Sequence, residues 1–136
     1  MLINLSNHPL ETWSEAQRAE AERRFGRIVD IPFPQIPPEW ETEQVVDLAR
    51  EYVQKGLQLL EHTEEPSAVH VMGEMTFTFA VVALFQRKGI PCVVSTTQRK
   101  VTILEDGSRR SVFQFVRFRL YPQQLCVQTS GLPENR

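Results

Sequence analysis

The chain has 136 residues, 41% of them hydrophobic and 24% charged, with a formal net charge of −2. That is enough for one hydrophobic core and hardly for two, and the overall acidity opposes the non-specific phosphate attraction on which duplex nucleic-acid binding depends. The longest apolar stretch, Met75–Phe85, has 11 residues including two threonines, far short of the ~20 needed to span a bilayer. Met1 leads directly into Leu2-Ile3-Asn4-Leu5 with no charged-then-apolar leader, so a soluble cytoplasmic protein is expected. Cys92 and Cys126 lie 34 positions apart without C-x-x-C spacing. They read as reduced thiols, and no metal site is expected.

In chain order, Leu2–Leu5 reads as a short strand ending in the loop Ser6-Asn7-His8-Pro9. Thr12 with Glu15 and Ser14 with Gln17 offer two registers of a capping box, so a first helix starts there and stops at Gly26. Arg27–Ile31 is the second strand, followed by a connector too rich in proline for regular structure. Val45, Leu48, Ala49, Tyr52, Val53 and Leu60 recur mostly at three- and four-residue steps, which predicts a second helix over Thr42–Glu61. Ser67–Met72 is the third strand and Thr76–Lys88 a third helix ended by Gly89. That helix is apolar on nearly every face and should be covered on two sides. Ile90–Ser95 is the fourth strand. Lys100–Glu105, the turn Asp106-Gly107 and Arg110–Tyr121 make a β-hairpin. The tail from Pro122 is polar and is expected to be loosely held.

This alternation predicts a small doubly wound α/β sheet over residues 1–121 with an antiparallel extension, followed by a tail over 122–136. Ligands of such sheets sit beyond the carboxyl ends of the parallel strands. Those ends are Ser6-Asn7-His8, Gly73-Glu74-Met75-Thr76 and Ser95-Thr96-Thr97 with Arg99, all rich in hydrogen-bonding groups. The second opens a helix, where free N–H groups and the dipole favour an anion. Charge is divided too. Residues 10–65 hold 13 acids and 6 bases, whereas residues 87–119 hold 8 bases and 2 acids. The basic half either faces a phosphate-rich ligand or blocks aggregation at a solvated sheet edge. Neither G-x-G-x-x-G after the first strand nor a P-loop lysine motif is present, which disfavours dinucleotides and nucleoside triphosphates.

Leu2-Ile3-Asn4-Leu5-Ser6-Asn7-His8, Val71-Met72-Gly73-Glu74-Met75-Thr76 and Ser95-Thr96-Thr97-Gln98-Arg99, with Val112–Tyr121 after them, resemble the small stand-alone CARF-type proteins of type III CRISPR loci. That group includes ring nucleases, which linearise cyclic oligoadenylates. The resemblance covers residues 1–121 and implies a Rossmann-like homodimer with one cyclic ligand across its two-fold axis. It also implies cleavage without metal or other cofactor, a ribose 2′-hydroxyl attacking its own phosphate. The alternatives are a non-catalytic protein that sequesters or senses the messenger, and a binder of another nucleotide.

Such chemistry needs in-line alignment and charge stabilisation at the phosphorane. Arg99 is the candidate for that stabilisation, or else an ordinary surface arginine. His8 is the candidate for moving a proton, and Glu74 for acting as a base or orienting Arg99. Thr76 with the N–H groups around Gly73 and Met75 would cradle phosphate, or simply cap the helix. Ser6 and Asn7 would bind ribose or base edges, or stabilise a turn, and Ser95, Thr96 and Thr97 complete the ligand-binding set. His70 reads as a packed histidine, and Trp13 and Trp40 as packing residues. Arg117 and Arg119 should share a face with Phe113, Phe115 and Tyr121, since side chains repeat at every second position.

Overall fold

The computed structural model describes residues 1–123, so Cys126 and the tail beyond Gln123 lie outside the described residues. The elements run β1 (Leu2–Ser6), α1 (Glu15–Phe25), β2 (Ile28–Asp30), α2 (Thr42–Leu60), β3 (Ala68–Met72), α3 (Met75–Arg87), β4 (Cys92–Ile103) and β5 (Arg109–Leu120), with a short 3-10 turn at Leu10–Thr12 before α1. The five strands form one sheet in the order β2-β1-β3-β4-β5. The first four are parallel, and β5 runs antiparallel to β4. It is a small, Rossmann-like, doubly wound α/β fold with a hairpin extension. The chain steps outward from β1 to β2, then returns over β1 to β3, so the topological switch lies between β1 and β3.

Side-chain alternation along the buried strands divides the core between the two faces. Ile3, Leu5, Val69 and Val71 meet α2 and α3 through Val45, Ala49, Val53, Phe77, Val81 and Phe85. Leu2, Ala68 and Val93 meet Trp13, Ala21 of α1 and Phe118 on the other face. Gly56 in α2 permits the close approach of the two helices on the first face, since a Cβ there would lie 2.6 Å from Phe85 Cζ. Of the two capping registers before α1, Ser14 is the one used, its Oγ accepting the Gln17 N–H at 3.1 Å. On α3, Phe77, Val81, Val82 and Phe85 are buried, while Met75 and Phe79 remain 83% and 79% exposed.

The hairpin departs from the sequence reading in two ways. Ser95–Arg99 is not a strand end: β4 continues unbroken to Ile103, paired with β5 along its length. Threonine and valine in this stretch suit a strand, and β5 satisfies the backbone groups that a loop would have left to water. In addition, Thr96 pairs with Arg117 but Thr97 with Phe115, so Val116 is an extra residue on β5. This bulge flips the alternation. Arg117, Arg119 and Tyr121 therefore face the α3 side, whereas Phe113 and Phe115 face the α1 side, so the arginines share a face with Tyr121 as expected but not with the two phenylalanines.

Candidate functional site

At the switch point, neighbouring parallel strands place Asn4 beside His70, both turned to the α1 face. With Ser6 these are the buried polar residues among those described. Asn4 Nδ2 donates to the His8 carbonyl (2.9 Å) and to Asp30 Oδ1 (2.8 Å). Asn4 Oδ1 accepts from Ser6 Oγ (2.7 Å) and lies 2.8 Å from His70 Nδ1. His70 Nε2 lies 3.2 Å from Ser95 Oγ of β4. Trp13 and Phe118 pack edge-on against the His70 ring, at centroid distances of 5.2 and 5.7 Å. Burial holds the His70 imidazole down to about 4, with the charge on His8 a smaller cause, so it is neutral at pH 7.

Above this network, beyond the carboxyl ends of β1 and β3 and against the middle of β4, opens a crevice of about 320 Å³. His8, Trp13, Met72, Ser95, Thr97 and Phe113 line it, with Thr12 and Gln17 at its α1 edge. The His8 loop is pinned from below, since the Trp13 Nε1–H also donates to the His8 carbonyl at 2.9 Å. A larger hollow of about 610 Å³ lies between the end of α3 and Tyr121. It lacks the convergent hydroxyl and imidazole groups of the crevice. Among the described residues, no three His, Cys, Asp or Glu side chains cluster in a way that could hold a metal ion.

A model of the uncharacterized protein MJ1673 family matches residues 1–119. The chain belongs to the MJ1673 family. The match runs from β1 almost to the end of β5, so it takes in the whole crevice. No curated protein and no solved structure matches the chain.

In this MJ1673-family fold the residues singled out from sequence fall into separate places. His8, Ser95 and Thr97 converge on the crevice. Ser6 lies beneath it, only 4% exposed, and its hydroxyl is used within the network rather than offered to a ligand. Asn7 lines a neighbouring hollow with the proline-rich loop after β2. Gly73 sits under that loop, where a Cβ would come within 2.2 Å of the Phe33 ring. Thr96 faces away from the crevice and donates to the Arg117 carbonyl at 3.2 Å. Arg99 is exposed on the ribbon, on the same face as Thr97, with its Nε donating to Ser111 Oγ at 2.6 Å.

Glu74 caps α3 itself. Its carboxylate accepts from the Thr76 N–H (3.1 Å), the Thr76 hydroxyl (2.7 Å) and the Phe77 N–H (2.8 Å). These bonds, that from Phe77 first, hold it below the ordinary carboxylate range. The helix amino terminus read as a phosphate cradle thus already holds an anion of its own, and Met75 and Thr76 border the α2–α3 groove instead. Sequence reasoning passed over Asn4, Asp30, Gln17 and Met72. The signal for the first was present: Asn4 and Ser6 in β1, like His70 in β3, fall at alternate positions in otherwise apolar strands.

Proposed function

We propose that the chain binds a cyclic oligoadenylate, cyclic tetra-adenylate foremost, between two copies of itself, and cleaves it without a metal ion, switching off type III CRISPR signalling. The observation that carries this reading is the convergence of His8, Ser95 and Thr97 on one crevice at the switch point of the sheet. They come from two of the segments on which the resemblance to CARF-type proteins rests. Attack by a ribose 2′-hydroxyl on its own phosphate depends on in-line positioning, for which a crevice walled by an imidazole, hydroxyls and aromatic faces is suited. His8 on the rim protonates the leaving 5′-oxygen. Arg99 stands two residues past Thr97 on the same face, roughly 7 Å along the strand. Its guanidinium stabilises the charge on phosphate. Glu74 has no part in this chemistry, because its carboxylate is committed to the α3 cap.

A ligand with two-fold symmetry needs two sets of loops, and one chain offers one. Between α2 and α3 an apolar groove of about 500 Å³ is lined by Val46, Met75, Phe79, Ala80 and Leu84. Two large apolar side chains exposed there favour a second copy as their cover.

The test is incubation of the purified protein with cyclic tri-, tetra- and hexa-adenylate in EDTA, with products read by mass spectrometry. Linear products with 2′,3′-cyclic phosphate ends are expected. Tight binding with the ring intact would make the protein a sequestering or sensing one, and neither binding nor cleavage would reject the reading.

A further inference from the structure

The hydrogen bonds beneath the crevice fix where the protons sit. Asn4 Nδ2 faces two groups that only accept, the Asp30 carboxylate and the His8 carbonyl. Asn4 Oδ1 is therefore the atom turned to His70 Nδ1, which must carry the hydrogen of that bond. The Nε2 lone pair is then left to accept, and Ser95 Oγ stands 3.2 Å from it. Ser95 Oγ also lies 3.0 Å from Met72 Sδ, but a thioether is the weaker acceptor. Ser95 is half-buried and lines the crevice, whereas His70 has no exposed surface.

We propose that Ser95 is a catalytic residue of the crevice and that His70 and Asn4 are positioning residues behind it, so that Ser95 Oγ takes the ribose 2′-proton while passing its own proton to His70 Nε2. This rests on the cyclic-oligoadenylate reading above. As the O2′–H bond breaks, the O2′–P bond forms and the P–O5′ bond breaks. The 5′-oxygen takes a proton from His8, leaving a 2′,3′-cyclic phosphate and a 5′-hydroxyl. His70 then returns its proton to solvent through Ser95 and His8 regains one, so none is consumed. Asn4 Oδ1 and, behind it, the Asp30 carboxylate stabilise the transient imidazolium. Those two residues and His8 are the polar groups facing His70 besides Ser95, and Trp13 and Phe118 close its remaining sides.

The experiment measures cleavage and binding of cyclic tetra-adenylate by the full chain and by Ser95→Ala and Ser95→Thr. Ser95→Ala should be slower by about 10²-fold or more, with Kd changed by less than about threefold. Ser95→Thr keeps the hydroxyl on a side chain suited to a strand and should retain most of the rate. Nitrogen-15 NMR of the histidine-labelled chain should show His70 as the neutral Nδ1–H tautomer, a readout independent of turnover. Cleavage by Ser95→Ala at the wild-type rate, or an Nε2–H tautomer, overturns this inference alone. A wild-type chain that neither binds nor cleaves the ring removes the reading beneath it as well.

Discussion

His70 makes the fold sensitive to mild acid, by an amount that follows from its surroundings. Its ring is fully buried between Trp13 and Phe118, and burial holds it near 4, against an ordinary value of 6.5. Below pH 6.5 the unfolded chain takes up a proton here that the folded chain refuses. Stability is therefore complete above pH 6.5 and falls as the pH drops towards 4, by about 3 kcal/mol in all. Between pH 6.5 and 5, before most carboxylates titrate, the loss is about 1.5 kcal/mol. His70→Phe is the comparison, because an aromatic ring suits the same shell and Asn4 Oδ1 keeps the Ser6 hydroxyl. Urea unfolding at pH 6.5, 6.0, 5.5 and 5.0 should show the wild-type midpoint falling by about 1 M relative to the variant's. His8, His62 and every carboxylate are common to both chains, so the difference isolates His70. Parallel midpoints across that range would refute the claim that the buried ring is held neutral.

Glu74→Ala should lower Tm by a few degrees at pH 7, because losing a helix cap costs about 1 kcal/mol. The Glu74 carboxyl is held below its ordinary range, so this contribution is present above that range and lost as the pH falls through the folded value; the wild-type and variant melts, apart at pH 7, should draw together as the pH is lowered below the ordinary carboxylate range. Arg99→Ala should weaken cyclic tetra-adenylate binding by about ten- to a hundred-fold, the cost of a charge-assisted contact. Unchanged affinity in titration calorimetry would return Arg99 to an ordinary surface role. The wild-type chain should scatter light as a dimer of the 15.7 kDa protomer, and Met75→Asp with Phe79→Asp as a monomer. A wild-type monomer at micromolar concentration would remove the second copy.

The parts of the fold legible in sequence were those under strong local control. Ser14 and Gly26 bound α1, the helical stripe from Val45 marks α2, and Asp106-Gly107 turns the hairpin, because cap, periodicity and turn chemistry act over four residues or fewer. Both ends of β4 were legible, as a fourth strand and as the first arm of the hairpin, but their continuity through Thr96–Arg99 was not. That stretch is polar and largely in solvent, so no apolar alternation marks it as strand. The reversal of Arg117 and Arg119 depends on the bulge at Val116, which exists only in the register of two strands. Glu74 is the converse case. Read from sequence as a base or as orienting Arg99, its carboxylate caps α3 through three hydrogen bonds.

Buried polar groups are tolerated where all of their bonding capacity is used, and the network under the crevice meets that condition. Asn4 uses both amide hydrogens and both lone pairs, on His8, Asp30, Ser6 and His70. The Ser6 hydroxyl donates to Asn4 and accepts from the His8 N–H at 3.2 Å. The His8 carbonyl takes Asn4 Nδ2 and Trp13 Nε1, filling its two lone pairs. His70 uses both ring nitrogens. Following the bonds outward from Asn4, each group is satisfied until Ser95, whose hydroxyl points one hydrogen inward and keeps its acceptor capacity beside the crevice. Apolar side chains of similar volume would hold β1 to β3 at no such desolvation cost. What they would not do is orient one hydroxyl at the mouth of the sheet, and that is the asymmetry on which the Ser95→Ala comparison bears.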